Sequence, residues 1–552
     1  MTQQTLKGFR ILEISTTLAT SFAADLLRQQ GAYVEKVSSK QTFFCDAQKE
    51  LTSSIATTRQ WDIVLTDDLQ WKSVSFPQAV TVCIDFQAFQ TGDERELQVK
   101  AGWLKDSEQE SSPSIAIGGF PASILVAAHI AFVTVCQLLE GRRNSTVVVH
   151  VASILTSALH GRLFTMEEQE IVPMMLVPAD DGQLFIGAPS DEQWAFLASW
   201  AELDVPSCPT QSERRLQKSA INKALSNWGA SQLRHELMML GQTFRLPFAS
   251  VQSHQEVLKC PQHKSRDFIQ QQRIIRSPWI MSKGLAANQS FSFTSFKELR
   301  IVDLTAMWAG PYCTRLFADL GATVVKIEAP HRPDGIRGKS GSTPFFEELN
   351  RNKQSVVLDL NVEEDKEILL KLVEESHIVV NNFSPRVMGN FGLTDDVLQR
   401  HNASIIHAAL SAFGQTGPYR DYVGYGSTLE SMGGIVAQTV DHTGAPTLPL
   451  FSISDMLAGV IGALSITLAL YEQTTTNAAY NIDVSQYEVA TLVAWVPYEQ
   501  TAGETVMTAD DHIIEETSNM WHTEEEIRKG RAPYFGEHTA YYKTNYANEK
   551  RD

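Results

Sequence analysis

The hydrophobic positions of this chain fall into short apolar runs separated by mixed stretches, and one such arrangement occurs twice. Residues 7–38 (KGFRILEISTTLATSFAADLLRQQGAYVEKVS) align without a gap to 297–328 (KELRIVDLTAMWAGPYCTRLFADLGATVVKIE). Identical pairs include Arg10/Arg300, Ile11/Ile301, Ala19/Ala309, Leu26/Leu316, Gly31/Gly321, Ala32/Ala322, Val34/Val324 and Lys36/Lys326. Each copy reads as an apolar strand, a loop, a helix, then Gly-Ala and a second strand, which predicts a β-α-β unit and a parallel sheet. With deletions in the first copy the pattern continues: 61–65 parallels 377–380, and 86–92 (FQAFQTG) parallels 411–417 (SAFGQTG). A duplication of this size predicts two related domains.

Two longer apolar stretches, 122–139 and 456–470, are expected as buried core helices. The first contains His129 and Gln137, and the second is too short to span a bilayer comfortably. Asp455 opens the second stretch, ahead of Met456, Leu457, Val460, Ile461, Leu464, Ile466 and Leu468, with Gly459 and Gly462 spaced as in a tightly packed helix. An Asp at that place has two readings. It caps the helix by accepting from the first free N–H groups, or it is a half-buried anion poised as a nucleophile. Between Glu110 and Glu140 the first copy has no Asp or Glu, so no carboxylate there matches Asp455. The first copy also lacks a counterpart of Asn350-Arg351-Asn352-Lys353, and reads Leu18-Ala19-Thr20-Ser21 where the second reads Trp308-Ala309-Gly310-Pro311. If Asp455 does chemistry, only the second copy does it.

Between the copies the texture changes. The turn sequence at 177–182 leads into a strand, LFIGA, then an amphipathic run at 194–200 and a second helical pattern over about 211–240. The expected fold class is therefore α/β: two Rossmann-like parallel-sheet large domains as a tandem repeat, with one smaller α+β domain between them. The expected boundaries are 1–169, 170–295 and 296–552.

Composition narrows the function classes. The chain has 552 residues, 43% hydrophobic and 20% charged, as in an ordinary globular protein. A formal charge of −18 argues against a nucleic-acid partner, which would need a basic face. The six cysteines are scattered without a CxxC pair, which fits a reducing compartment and implies no metal site. The N-terminus shows no secretory pattern and Lys550-Arg551-Asp552 is no peroxisomal address, so the expected location is cytoplasmic, with no membrane partner. Gly338-Lys339-Ser340 is not a P-loop, because Pro333 stands where the cradle needs glycine, and no GxGxxG follows either strand.

The motifs LRIVDLTAMWAGPYCTRLFADLGATVVKIEAP, LNRNKQSVVLDLN, VVNNFSPRVMGNFGL, ALSAFGQTGPYRDYVGYG and FSISDMLAG followed by NIDVSQYE stand in that order. Together they resemble the class III CoA-transferase family, the formyl-CoA transferase and carnitine and bile-acid CoA-transferase group. The resemblance is continuous over 297–490 and weaker over 6–290. It implies an enzyme that moves CoA from an acyl-CoA thioester to a small carboxylic acid through a mixed anhydride and an aspartyl-CoA thioester on Asp455. Coenzyme A would be a co-substrate, with no tightly bound cofactor. The family pattern carries CoA contacts onto Trp308, Ala309, Leu358, Asn361, Asn382, Phe383, Ser384, Asn390, Ser411 and Phe413.

Some members of the family have arginines at the positions of Ala329 and Asn390. Here the charge facing the CoA phosphates is expected from Arg386, Arg351, Lys353 or Arg337, each of which is otherwise an ordinary solvated cation. The racemase branch of the family uses a His in Gly-His-Asp. This chain has Gly424-Tyr425-Gly426, and losing the imidazole favours transfer over racemisation. A CoA-ester-binding pseudoenzyme is a further alternative, since the first copy is degenerate and the second stops where its own small domain would start. Against it, the second copy keeps Asp455 and each major motif. Family members are intertwined dimers, which implies either a pseudo-dimer within one chain, its single small domain covering the second copy's site, or a homodimer.

Overall fold

Near-continuous apolar runs such as ILEI and RIVD offer no polar face to water, so they need helices on both sides of a sheet. The computed structural model describes residues 5–15, 17–38, 60–67, 78–86, 94–104, 114–158, 170–286, 291–338, 341–495, 521–522 and 530–547. In the first half, β1 (Arg10–Ser15), β2 (Tyr33–Ser38), β3 (Ile63–Thr66), β4 (Val80–Asp85) and β5 (Ser145–His150) run parallel in the order β5-β4-β3-β1-β2. The middle of the chain forms an antiparallel sheet from β6 (Met174–Ala179), β7 (Gly182–Gly187) and β8 (Ala249–Ser250), then a short hairpin of β9 (Ile269–Gln270) and β10 (Arg273–Ile274). The second half contributes β11 (Trp279–Ala286), β12 (Arg300–Asp303), β13 (Thr323–Glu328), β14 (Gln354–Val357), β15 (Ile378–Asn381), β16 (Ile406–Ser411) and β17 (Ala478–Ser485). Their order is β11-β17-β16-β15-β12-β13-β14.

The two parallel sheets share one register, as the repeat predicts. Arg10 faces Tyr33 as Arg300 faces Thr323, and Ile11 faces Ile63 as Ile301 faces Ile378. β14 extends the second sheet only. The expected match of 86–92 to 411–417 lies, beyond Phe86, outside the described residues. Each sheet is closed at one edge by an antiparallel strand from outside its own β-α-β copy. β11, which follows the middle segment, lies antiparallel on β17, and β18 (Trp521–His522), which follows the second half, lies antiparallel on β5.

The expected run of 194–200 is the helix Asp191–Trp200, opened by a Ser190/Gln193 capping box. The pattern over 211–240 is three helices rather than one, Gln211–Leu216, Lys218–Gly229 and Arg234–Thr243. Thr210 and Glu213 form a second capping box at the first of them.

Both long apolar stretches are helices, Pro121–Leu139 and Ile453–Thr476. The second begins three residues before the stretch read from hydropathy and ends six beyond it, so its length does not exclude a membrane span. Both helices lie inside the protein and press against each other, as expected of core helices. The helix Ala309–Asp319 closes the other side of Ile453–Thr476 at very short range, since a Cβ on Gly459 would lie 2.7 Å from Ala309 O and 2.8 Å from Tyr312 Cδ1. His129 joins the halves: its Nδ1–H donates to Leu125 O (2.8 Å), so its Nε2 accepts from the Tyr312 hydroxyl (3.0 Å). Burial holds this imidazole neutral, with its pKa lowered to about 4.

Gly459→Ala should therefore destabilise the protein by about 1–3 kcal/mol, because the added methyl meets backbone and cannot be accommodated by a rotamer change. Gly389→Ala, where a Cβ meets nothing within 4 Å, is the control, expected within about 0.5 kcal/mol of the parent. Equal chemical denaturation curves for the two variants would contradict the packing described.

Candidate functional site

Doubly wound sheets bind ligands beyond the carboxyl ends of their strands, where the strand order reverses. In the second sheet that point lies between β12 and β15. The loops that leave these strands are tied together there by Asn382, whose Oδ1 accepts from Ala306 N–H (3.0 Å) and whose Nδ2 donates to Ala306 O (2.7 Å). Below them a buried charge network fixes the loops: Lys353 Nζ reaches Asp303 (3.0 Å) and Lys326 Nζ reaches Asp334 (3.0 Å).

Asp455 is the third residue of the Ile453–Thr476 helix and is half-buried between buried Ser454 and Met456. The helix cap is not Asp455. Glu430, 1% exposed, comes from the neighbouring helix Gly426–Gly433 and accepts from Ser454 N–H (3.1 Å), Ser454 Oγ (3.1 Å) and Ser452 Oγ (3.0 Å). Among the described residues no backbone N–H pairs with the Asp455 carboxylate. Its neighbour is the Ser452 hydroxyl, which has one proton to share between two carboxylates. Gly426 makes this proximity possible. A Cβ there would collide with Ser452 Oγ and lie 2.5 Å from Asp455 Oδ2.

The electrostatics follow from that burial. Loss of hydration raises the Asp455 carboxyl to about 6, opposed by the Ser452 hydroxyl. It raises Glu430 to about 7, opposed by the Ser454 N–H, with the nearby Asp455 charge adding to the rise. Neither carboxylate forms an ion pair among the described residues. The site thus holds one carboxylate that ionises first and faces outward, beside a second that keeps its proton longer.

The first half shows the same scaffold without the aspartate. Glu94 accepts from Ala122 N–H and Ser123 N–H (both 2.9 Å), at the N-terminus of Pro121–Leu139, as Glu430 accepts at the start of Ile453–Thr476. The third helical residue is Ser123, completely buried, where the second half has Asp455. Glu430 and Glu94 were not singled out from the sequence. Only the packing of one helix on the start of another brings them to these places, and no spacing signal announces it.

The other expected contact residues take different positions. Trp308 is buried with its ring edge-on to Phe345, and the Ala309 backbone supports Gly459. Leu358 is buried in the cluster beneath β14, whereas exposed Asn361 donates to Asp359 Oδ1 (3.0 Å). Asn382, Phe383 and Ser384 lie at the switch point, partly exposed, and Asn390 is exposed at the end of the short helix that follows. Ser411 is buried and accepts from Gln415 Nε2 (3.1 Å), and buried Phe413 packs on Tyr419, Tyr422 and Tyr487. Of the four candidate cations, Arg351 is matched by Asp319 and Glu348, Lys353 by Asp303 and Arg337 by Glu328. Arg386 stays exposed.

The middle segment seats on this same edge. Gln242 pairs in both directions with the Val423 backbone, Gln252 N–H donates to Ser431 O (2.9 Å), and Arg266 is buried against Asp483 and Glu488. Among the described residues no group of His, Cys, Asp and Glu is arranged to hold a metal ion.

Comparison with known proteins gives this geometry a family. The chain is 36% identical over 230 residues to a succinyl-CoA–D-citramalate CoA-transferase of Chloroflexus aurantiacus, covering 40% of this chain and 55% of the relative. It is 36% identical over 198 residues to an acetyl-CoA:oxalate CoA-transferase of Acetobacter aceti, covering 35% and 51%. A solved CAIB/BAIF family protein from Brucella suis superposes with a TM-score of 0.35 at 29% identity, over 36% of this chain and 55% of its own. The chain spans about half the length of the curated relatives it matches. The model of CoA-transferase family III matches residues 143–286 and 296–528, more than half of the sequence, and the chain belongs to that family.

Proposed function

We propose that this protein transfers coenzyme A from an acyl-CoA thioester to a small carboxylic acid, with Asp455 as the nucleophile. The observation that carries the proposal is a half-buried carboxylate freed from capping its helix by Glu430, in a chain of CoA-transferase family III. A carboxylate stripped of water is a stronger nucleophile than a solvated one. Its oxygen would attack the thioester carbonyl carbon and expel CoA thiolate, leaving a mixed anhydride. The thiolate would attack the Asp455 carbonyl, release the first acid as its carboxylate and form an aspartyl-CoA thioester. The acceptor carboxylate would then attack that carbonyl, again expelling thiolate. Attack of the thiolate on the acceptor carbonyl forms the new thioester and frees Asp455. Retaining CoA keeps each step effectively intramolecular, and excluding water protects the anhydride.

The contacts of the middle segment support an intramolecular pseudo-dimer. In this reading 1–169 is the degenerate large domain, 170–295 the small domain that covers the site, and 296–552 the large domain that carries it. The edge strands β11 and β18 are what an intertwined dimer would leave after fusion into one chain. Trp308, Ala309, Leu358, Asn361, Asn382, Phe383, Ser384, Asn390, Ser411 and Phe413 form the proposed CoA side, some by contact and the buried ones by shaping the loops. Glu430 positions Ser452 and the helix start.

Mixing the protein with a panel of acyl-CoAs, trapping with hydroxylamine or borohydride and measuring intact mass should reveal an adduct on Asp455. Asp455→Asn should abolish the adduct and lower transfer by about a thousandfold or more, as loss of a nucleophile does. Solvent deuterium entering the acyl α-carbon with no adduct would instead indicate racemisation.

Glu430 gives a separate test on stability. Unfolded, it titrates near 4.5; folded, at about 7. Between those values the folded state keeps a proton that the unfolded state has lost, so stability declines as pH rises through that window. Asp455 acts in the same direction. Glu430→Gln should flatten this decline between about pH 5 and about pH 7, read from denaturant unfolding at each pH. A decline as steep as in the parent protein would show that Glu430 is not held protonated.

A further inference from the structure

The motif SAFGQTG forms the loop by which the chain leaves β16, and a loop that turns its carbonyls inward must find donors for them. Here the donors come from the short helix Pro261–Ser265 of the middle segment and the residue after it. Gln262 Nε2 donates to Phe413 O (2.6 Å) and to Thr416 O (2.8 Å), while its Oε1 accepts from Tyr419 N–H (2.8 Å). Both amide protons and the amide oxygen are thus committed to one loop. Arg266, four residues on, donates from Nη1 to Thr416 Oγ1 (2.8 Å) and Asp483 (2.6 Å), and from Nε to Glu488 (2.7 Å). Asp483 in turn accepts from Gln415 N–H (2.9 Å). Gln262 and Arg266 are both buried. The glycines of the motif give them room. Gly414 (φ +84°) and Gly417 (φ +91°) both adopt left-handed conformations. A Cβ on Gly414 would collide with the Arg266 guanidinium, and one on Gly417 would lie 2.5 Å from Gln262 Oε1. Contacts then lead from this loop to Asp455. Ala412 Cβ and Phe413 Cε2 would lie 3.0 and 3.1 Å from a Cβ on Gly424, and two residues further Gly426 lies against Ser452 and Asp455.

We propose that Gln262 and Arg266 are positioning residues for CoA transfer, a clasp from the middle segment that holds the 411–419 loop in the shape that receives CoA beside Asp455. The proposal rests on the CoA-transfer reading above and deepens it, because the middle segment then does more than cover the site. The clasp acts through the backbone of Phe413 and Thr416 and the contact of Phe413 with Gly424, not by touching substrate. A buried network with its donors and acceptors matched specifies one loop conformation, and small errors in the placing of a binding loop are costly.

The test uses the full chain with Gln262→Leu and Gln262→Glu, and combines calorimetric titration with CoA, trapping of the Asp455 adduct and denaturant unfolding. Leucine fills much of the same space but leaves Phe413 O and Thr416 O without their donor. Gln262→Leu should weaken CoA binding by about tenfold or more and raise the acyl-CoA concentration for half-maximal adduct formation to match. A role in stability alone would lower the unfolding midpoint and leave the CoA affinity of the folded protein unchanged, which would overturn the clasp. Gln262→Glu keeps the shape and, once protonated, regains one O–H donor. Its loss of CoA affinity relative to the parent at the same pH should be smaller at about pH 5 than at about pH 8. An equal loss at both would also overturn the clasp, and this variant carries the test should Gln262→Leu fail to fold. A parent protein that binds CoA and forms the adduct, with affinity unaltered in the variants, removes the clasp alone. One that does neither removes the transfer reading and the clasp with it.

Discussion

The position of Asp455 depends on how closely the Ile453–Thr476 helix can approach its neighbours. On one side Gly459 lets it lie against the backbone of Ala309, and Gly462 lets it touch Leu410 of the second sheet. On another it is pressed by the wholly buried helix Pro121–Leu139 of the first half. At its head Gly426 admits the Gly426–Gly433 helix into contact with Ser452 and Asp455. Dense packing transmits displacement, so a methyl group added at any of these points moves the carboxylate relative to the switch point. The glycines matter here through the space they leave, not through unusual dihedral angles.

Such packing also decides the electrostatics. An anion placed among apolar residues would ordinarily take up a proton or find a cation. Among the described residues neither a lysine nor an arginine pairs with Asp455. The site supplies a hydroxyl, the start of a helix and a second carboxylate that ionises later. The result is a carboxylate that is charged near neutral pH yet poorly solvated. Cations are kept away from it, at the loops below, where Asp303, Glu328 and Asp319 consume them.

The two halves share a scaffold and differ at the aspartate. The first keeps the sheet, the buried helix and the carboxylate at that helix's N-terminus, but has Ser123 in place of the aspartate. Its long helix remains indispensable as a wall for the other half, with His129 bonded to Tyr312 across the junction. Removing the first half would expose the apolar face of the Ile453–Thr476 helix that its long helix covers.

The sequence by itself determined a good deal. The gapless repeat of 7–38 in 297–328 established two parallel β-α-β units, because strand alternation and helix periodicity are local properties of the chain. The apolar length of 122–139 and 456–470 established two buried helices, and the motifs around Asp455 marked the carboxylate. The tertiary structure decided the rest. The split of 211–240 into three helices depends on caps and packing that hydropathy averages over. The closing of the sheet edges by β11 and β18 involves strands far from their partners in sequence. Glu430 and Glu94 left no local signal, since each depends on where separate elements come to rest. Three of the four candidate cations could not be told from solvated ones until Asp303, Asp319 and Glu328 were found beside them. Local patterns specify elements, but charge pairing and close approach are properties of neighbours that only folding brings together.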